Sequence, residues 1–138
     1  MRRFGRRGVI GLDTNVLLRA LTNDDPARSP AAARLLAGLS ADAPGFVNVV
    51  VLIELAWSLQ RRYKAGRADV IAAVEALLES PGYVIADRDA VIDGLEIMKA
   101  ERLDFTDALI AALNRRAGCE GTFTFDETAR RNRLYRPV

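Results

Sequence analysis

Apolar and polar positions alternate between two periods along the chain, and the switches between them mark its elements. Gly8 to Leu12 (GVIGL) is a short apolar run that predicts a buried strand ending at Asp13. Val16, Leu17, Ala20 and Leu21 then recur at helical spacing. Ser29-Pro30 predicts an N-cap and a first-turn proline for a helix through Leu39. Gly45-Phe46-Val47 predicts a second strand, followed by a long helix from Val49 to Tyr63 with Leu52, Leu55, Ala56 and Leu59 on one side. Gly66 separates this helix from another through Leu78. Pro81-Gly82 makes a turn into a third strand, Tyr83 to Ala86. Helices near Asp89 to Lys99 and Thr106 to Ala117 follow, the latter closed by Gly118. Thr122 to Phe125 and Leu134 to Tyr135 complete the strands.

Strands alternating with helices predict an α/β fold with a parallel sheet of about five short strands and helices on both faces. In such sheets ligand groups gather beyond the carboxyl ends of the strands. The 138 residues fit one domain with a real core, and half of them are apolar, which argues against disorder. No apolar stretch approaches the roughly 18 residues that span a bilayer. Basic residues precede the first apolar run, but Asp13 ends that run too early for a signal peptide. A lone Cys119 fits a reducing compartment, so a cytoplasmic protein is expected.

Histidine is absent, which removes the commonest general base and the usual zinc ligand. Catalysis must then rest on carboxylates, hydroxyls, Lys or Arg. The basic charge is almost all arginine, a side chain suited to bidentate phosphate contacts, but a net charge of +2 does not by itself indicate nucleic acid.

Several acids stand out against this background. Asp13 and Asp126 each follow a predicted strand, where an acid can cap a helix, shape a turn or belong to a site. Glu54 interrupts the apolar run Phe46 to Trp57, and a buried carboxylate there would need a partner or a metal. The other reading is an exposed Glu on a half-buried helix. Asp104 and Asp107 stand three apart at a helix start, one of them explained by capping. Asp24-Asp25-Pro26 is accounted for by turn chemistry. An all-oxygen set of ligands suits Mg²⁺ or Mn²⁺.

Leu12-Asp13-Thr14-Asn15-Val16-Leu17-Leu18-Arg19, Val50-Val51-Leu52-Ile53-Glu54-Leu55-Ala56-Trp57, Leu103-Asp104-Phe105-Thr106-Asp107-Ala108-Leu109-Ile110 and Thr124-Phe125-Asp126 stand in that order along the chain. Together they resemble the motifs of the PIN-domain nucleases, and more closely those of VapC-type toxins, over about Val9 to Arg130. The resemblance implies a single Rossmann-like domain and an acidic pocket of Asp13, Glu54, Asp107 and Asp126. Asp13 and Asp107 are then the direct Mg²⁺ ligands, with Asn15, Asp104 and Thr124 in support. It further implies RNA cleavage, a homodimer and a cognate VapB-type antitoxin. Arg61, Arg62, Arg115, Arg116 and Arg130 are candidate RNA contacts, although each also fits a solvated helix face. The basic Met1 to Arg7 extension departs from members whose first strand starts almost at the initiator Met. A catalytically weak module that grips RNA or a partner is the alternative. A haloacid-dehalogenase-type phosphatase is disfavoured, since it requires a second Asp two residues after the first, where this chain has Asn15.

Overall fold

A computed structural model describes residues 8–138, so the basic extension, residues 1–7, lies outside the described residues. The chain divides into two compact units, one up to Ala86 and one from Asp87 to Val138.

The first unit holds β1 (Ile10–Gly11), α1 (Thr14–Thr22), α2 (Arg28–Ala37), β2 (Gly45–Val47), α3 (Val49–Arg62), α4 (Arg67–Glu79) and β3 (Tyr83–Ile85). Its three strands form a parallel sheet in the order β1-β2-β3. β2 is therefore central, and Val47 is fully buried. β1 lies at the sheet edge, which leaves Ile10 and Gly11 exposed, where the sequence led us to expect a buried strand; only Leu12 goes inside. Gly45 is required by packing, because a Cβ there would come within 2.5 Å of the Leu12 side chain. α1 packs on α2 and α3, with Leu17, Leu18, Leu52 and Leu55 buried.

The predicted cap of α2 is corrected by the structure. Ser29 lies inside the helix, buried, and the Asp25 carboxylate instead accepts from the Ala27 and Arg28 backbone N–H groups at 3.0 and 2.8 Å. An ionised acceptor satisfies two free helix donors where a hydroxyl would satisfy one. Its neighbour Asp24 accepts from Arg19 at 2.7 Å, from Thr22 at 2.9 Å and from the Tyr63 hydroxyl, just past the end of α3. These bonds, with Tyr63 foremost, hold the Asp24 carboxyl well below the usual carboxylate range.

The second unit holds α5 (Arg88–Ala100), α6 (Phe105–Arg116), β4 (Thr122–Thr124), a 3₁₀ turn (Ala129–Arg131) and β5 (Tyr135–Pro137). β4 and β5 form a second, two-stranded parallel ladder. The five expected strands are thus present and all pair in parallel, shared between two sheets. α5 packs on α6 around Val91, Leu95, Phe105 and Leu109, all buried. Gly118, at φ +96°, stops α6 in a left-handed conformation that a side chain would strain. Among the described residues, no helix is long and apolar enough to cross a membrane.

Candidate active site

In the first unit, Asp13 leaves β1 in extended backbone and caps α1, its Oδ1 accepting from the Thr14 backbone N–H at 2.7 Å. The capping reading is therefore correct, and it leaves the second carboxylate oxygen of an exposed side chain for other work. Thr14 itself is buried, and its Oγ1 donates to Glu54 Oε1 at 2.7 Å. Thr14 thus joins Asp13 to Glu54, its side-chain bond spanning 40 positions of sequence. The reason given above for singling out Glu54 does not hold. Its side chain is exposed, on the α3 stripe that also carries Val50, Trp57 and Arg61, so no desolvation demands a metal. What sets Glu54 apart is its bond to Thr14. Asn15 is exposed in the first turn of α1.

In the second unit, Asp104 is the N-cap of α6 and accepts from the Asp107 backbone N–H at 2.9 Å. The fully buried Phe105 between them anchors that first turn, so both acids project from a fixed frame. Asp126 follows β4. Its backbone N–H donates to Thr124 Oγ1 at 3.0 Å, and its Oδ1 accepts from Thr128 and Ala129 at 2.8 and 3.0 Å. Thr124 therefore fixes the backbone from which Asp126 projects. Partial burial, then the charges of Asp104 and of Asp126, raise the Asp107 carboxyl above its ordinary value. These three acids therefore share one electrostatic neighbourhood.

Sequence reasoning missed two residues here. Thr14 lay inside the quoted first motif, but nothing in the sequence shows which way a hydroxyl points. Tyr135 was read only as part of a strand. Its hydroxyl donates to the Asp107 carbonyl at 2.7 Å from a buried ring, tying β5 to the first turn of α6. Burial, then Asp107, Asp104 and Asp126, push that phenol up to about 12. A tyrosine in a strand of the basic tail was the only available signal.

The candidate RNA-contacting arginines divide into three kinds. Arg116 is held by Asp93 at 2.6 Å, with Asp89 at 3.8 Å, and Arg130 lies 3.7 Å from Glu127. Arg61 and Arg62 lie over the rings of Trp57 and Tyr63, at 5.3 and 5.9 Å from the ring centres. Arg115 is exposed and lines a cleft of about 680 Å³ with Asp93, Glu96, Arg116 and Arg133; the three clustered acids are not among its walls.

Among the described residues, no three acidic or cysteine side chains form a ready-made metal cage. Asp13 and Asp107 are hard oxygen donors, the class that suits Mg²⁺ or Mn²⁺.

The PIN domain family model matches residues 10–133. No curated protein matches the sequence. Among solved structures the chain is similar to Mycobacterium tuberculosis VapC20, described as a sarcin-ricin loop cleaving toxin. Identity is 22%, over 91% of this chain and 95% of that one, with a TM-score of 0.43. The family match begins at the first residue of β1, ends just before β5 and takes in every acid described above, and on that basis the chain belongs to the PIN domain family.

Proposed function

We propose that the chain acts as one catalytic domain, a metal-dependent endoribonuclease that serves as the toxin of a cytoplasmic toxin–antitoxin pair. The observation that carries this reading is the acidic start of α6, where Asp104 caps the helix three residues before Asp107 and the charges of Asp104 and Asp126 both reach Asp107. Like charges so placed are costly, and a divalent cation offsets that cost. Family membership and the absence of histidine support the same chemistry.

Asp13 and Asp107 are the proposed ligands of Mg²⁺ or Mn²⁺. Such a cation, when bound, supplies polarisation of the phosphoryl group, a nucleophile at neutral pH and stabilisation of the leaving oxygen. Glu54, held by Thr14, is the proposed acceptor for the proton of the attacking water. Asp126, fixed by Thr124 and the next turn, adds negative charge that strengthens cation binding, and Asp104 orients the start of α6. The proposed partners are RNA, a second copy of the chain and a VapB-type antitoxin. An acidic site attracts a guanidinium group, so an inhibitory partner would present an arginine.

Expression of the chain alone in a bacterial host should arrest growth and fragment RNA, and the purified protein should cleave RNA only with Mg²⁺ or Mn²⁺. Asp13→Ala and Asp107→Ala should each abolish both effects with the fold intact. Undiminished cleavage in excess chelator would remove the metal, and intact RNA at high protein concentration would remove the ribonuclease.

A further inference from the structure

The solvent-facing side of α3 carries more than Glu54. Glu54, Trp57 and Arg61 follow one another at spacings of three and four, which places them on one helix face. A rise of about 1.5 Å per residue sets Trp57 about 4.5 Å and Arg61 about 10 Å along the axis from Glu54. Trp57 is 53% exposed, a large π-surface left in water, and the Arg61 guanidinium lies 5.3 Å from the ring centre. A cation over an aromatic face is the pairing that proteins use to stack nucleic-acid bases and to meet the adjoining phosphate.

We propose that Trp57 and Arg61 form a stacking platform for one base of single-stranded RNA, next to the nucleotide whose phosphate is cut. The inference rests on the ribonuclease reading above. Every base has a π-face, so the platform gives affinity and position with little sequence preference. Arg61 stacks on the same base or contacts its phosphate. Glu54, bonded to Thr14 and through it to Asp13, links the platform to the acids of this unit. A second copy of the chain is a poorer occupant. Val50 and Trp57 are the large exposed apolar groups on this stripe, with Ile53 half-buried beside them, and Glu54 separates them while Arg61 follows. A stable dimer needs on the order of 800 Å² from each partner and a core depleted in charge.

Trp57 is the chain's only tryptophan, so its emission reports this place alone. The probe is a labelled single-stranded oligoribonucleotide of about ten nucleotides. It is added in chelator, and its length is checked on a gel afterwards. Trp57 emission should be quenched with the same midpoint as the rise in RNA anisotropy. Trp57→Leu should weaken Kd roughly tenfold, and Trp57→Phe, which keeps an aromatic face, by less. Because Trp57 is exposed, both variants should melt close to the parent. RNA binding with unchanged emission and an unchanged Kd in Trp57→Leu would overturn the platform and leave the ribonuclease standing. Failure to bind or cleave any RNA would remove both. Emission that changes on diluting the protein alone, with Trp57→Leu turning a dimer into monomers, would assign the face to a copy of the chain and overturn the proposal.

Discussion

Replacing Thr14 by Val isolates one contact, the hydroxyl that donates to Glu54 at 2.7 Å. Valine keeps the β-branched shape in a buried position, so no cavity opens and the helix start is preserved. A hydrogen bond to a charged group contributes about 1.5–3 kcal/mol net, but exposed Glu54 recovers part of that from water. The expected loss is therefore about 1 kcal/mol, or roughly 3–5 °C in Tm for a chain of this size. Asp13 still accepts from the Thr14 backbone N–H, so its position survives. Turnover should fall about tenfold because Glu54 is no longer held for proton transfer. The decisive assay is a double-mutant cycle of Thr14→Val, Glu54→Ala and the pair, read by both denaturant unfolding and RNA cleavage. A coupling energy of about 1 kcal/mol is expected, and the double variant should be no less active than Glu54→Ala alone. Coupling within about 0.3 kcal/mol of zero would show that the contact does not matter and that Glu54 is an ordinary surface acid.

Asp107→Asn should stabilise the metal-free protein at neutral pH. Because the folded-state carboxyl is raised above 3.8, the folded state holds an extra proton between that value and the raised one, so this residue's contribution to stability falls as pH rises through the window. The gap in Tm between variant and parent should widen from about pH 4 to about pH 7, and parallel curves would refute the cause assigned. Tyr135→Phe removes the bond to the Asp107 carbonyl, which keeps its own helical partner, so a loss of about 1 kcal/mol is expected by thermal melting. A Tm unchanged within error would mean that the hydroxyl does not anchor α6.

Local signals in the sequence located the elements well because they are local in origin. Gly118 stops α6 by its own backbone freedom, and Gly45-Phe46-Val47 and Val49 to Tyr63 lie where periodicity places a strand and a helix. Relations between distant residues were less legible. Glu54 read as buried because apolar residues surround it in sequence, yet Val50 and Trp57, its same-face neighbours, are themselves exposed. β1 read as buried because its place at the sheet edge depends on which strand pairs with it. Ser29 lost the cap of α2 to Asp25, an acid set aside as a simple turn residue. Asp104 and Asp126 act on Asp107 through space, so their spacing could suggest a cluster but could not show its effect on a proton.

The bonds around Asp24 have a mechanical consequence for the distant end of the same helix. α1 is tied to α3 at two levels: Thr14 to Glu54 at its start, and Asp24, just past its end, to Tyr63. Arg19 reinforces the far tie, reaching both Asp24 and the Tyr63 hydroxyl. With a single tie, α1 could pivot about it, or slide by a turn of about 5.4 Å and find equivalent contacts. Two ties of different chemistry admit only one alignment, because a slide of one turn would break both of them at once. Asp13 rides on the first residue of that helix, so its placement relative to Glu54 is set by a clamp at Asp24, beyond the far end of the helix, as well as by the loop that precedes it.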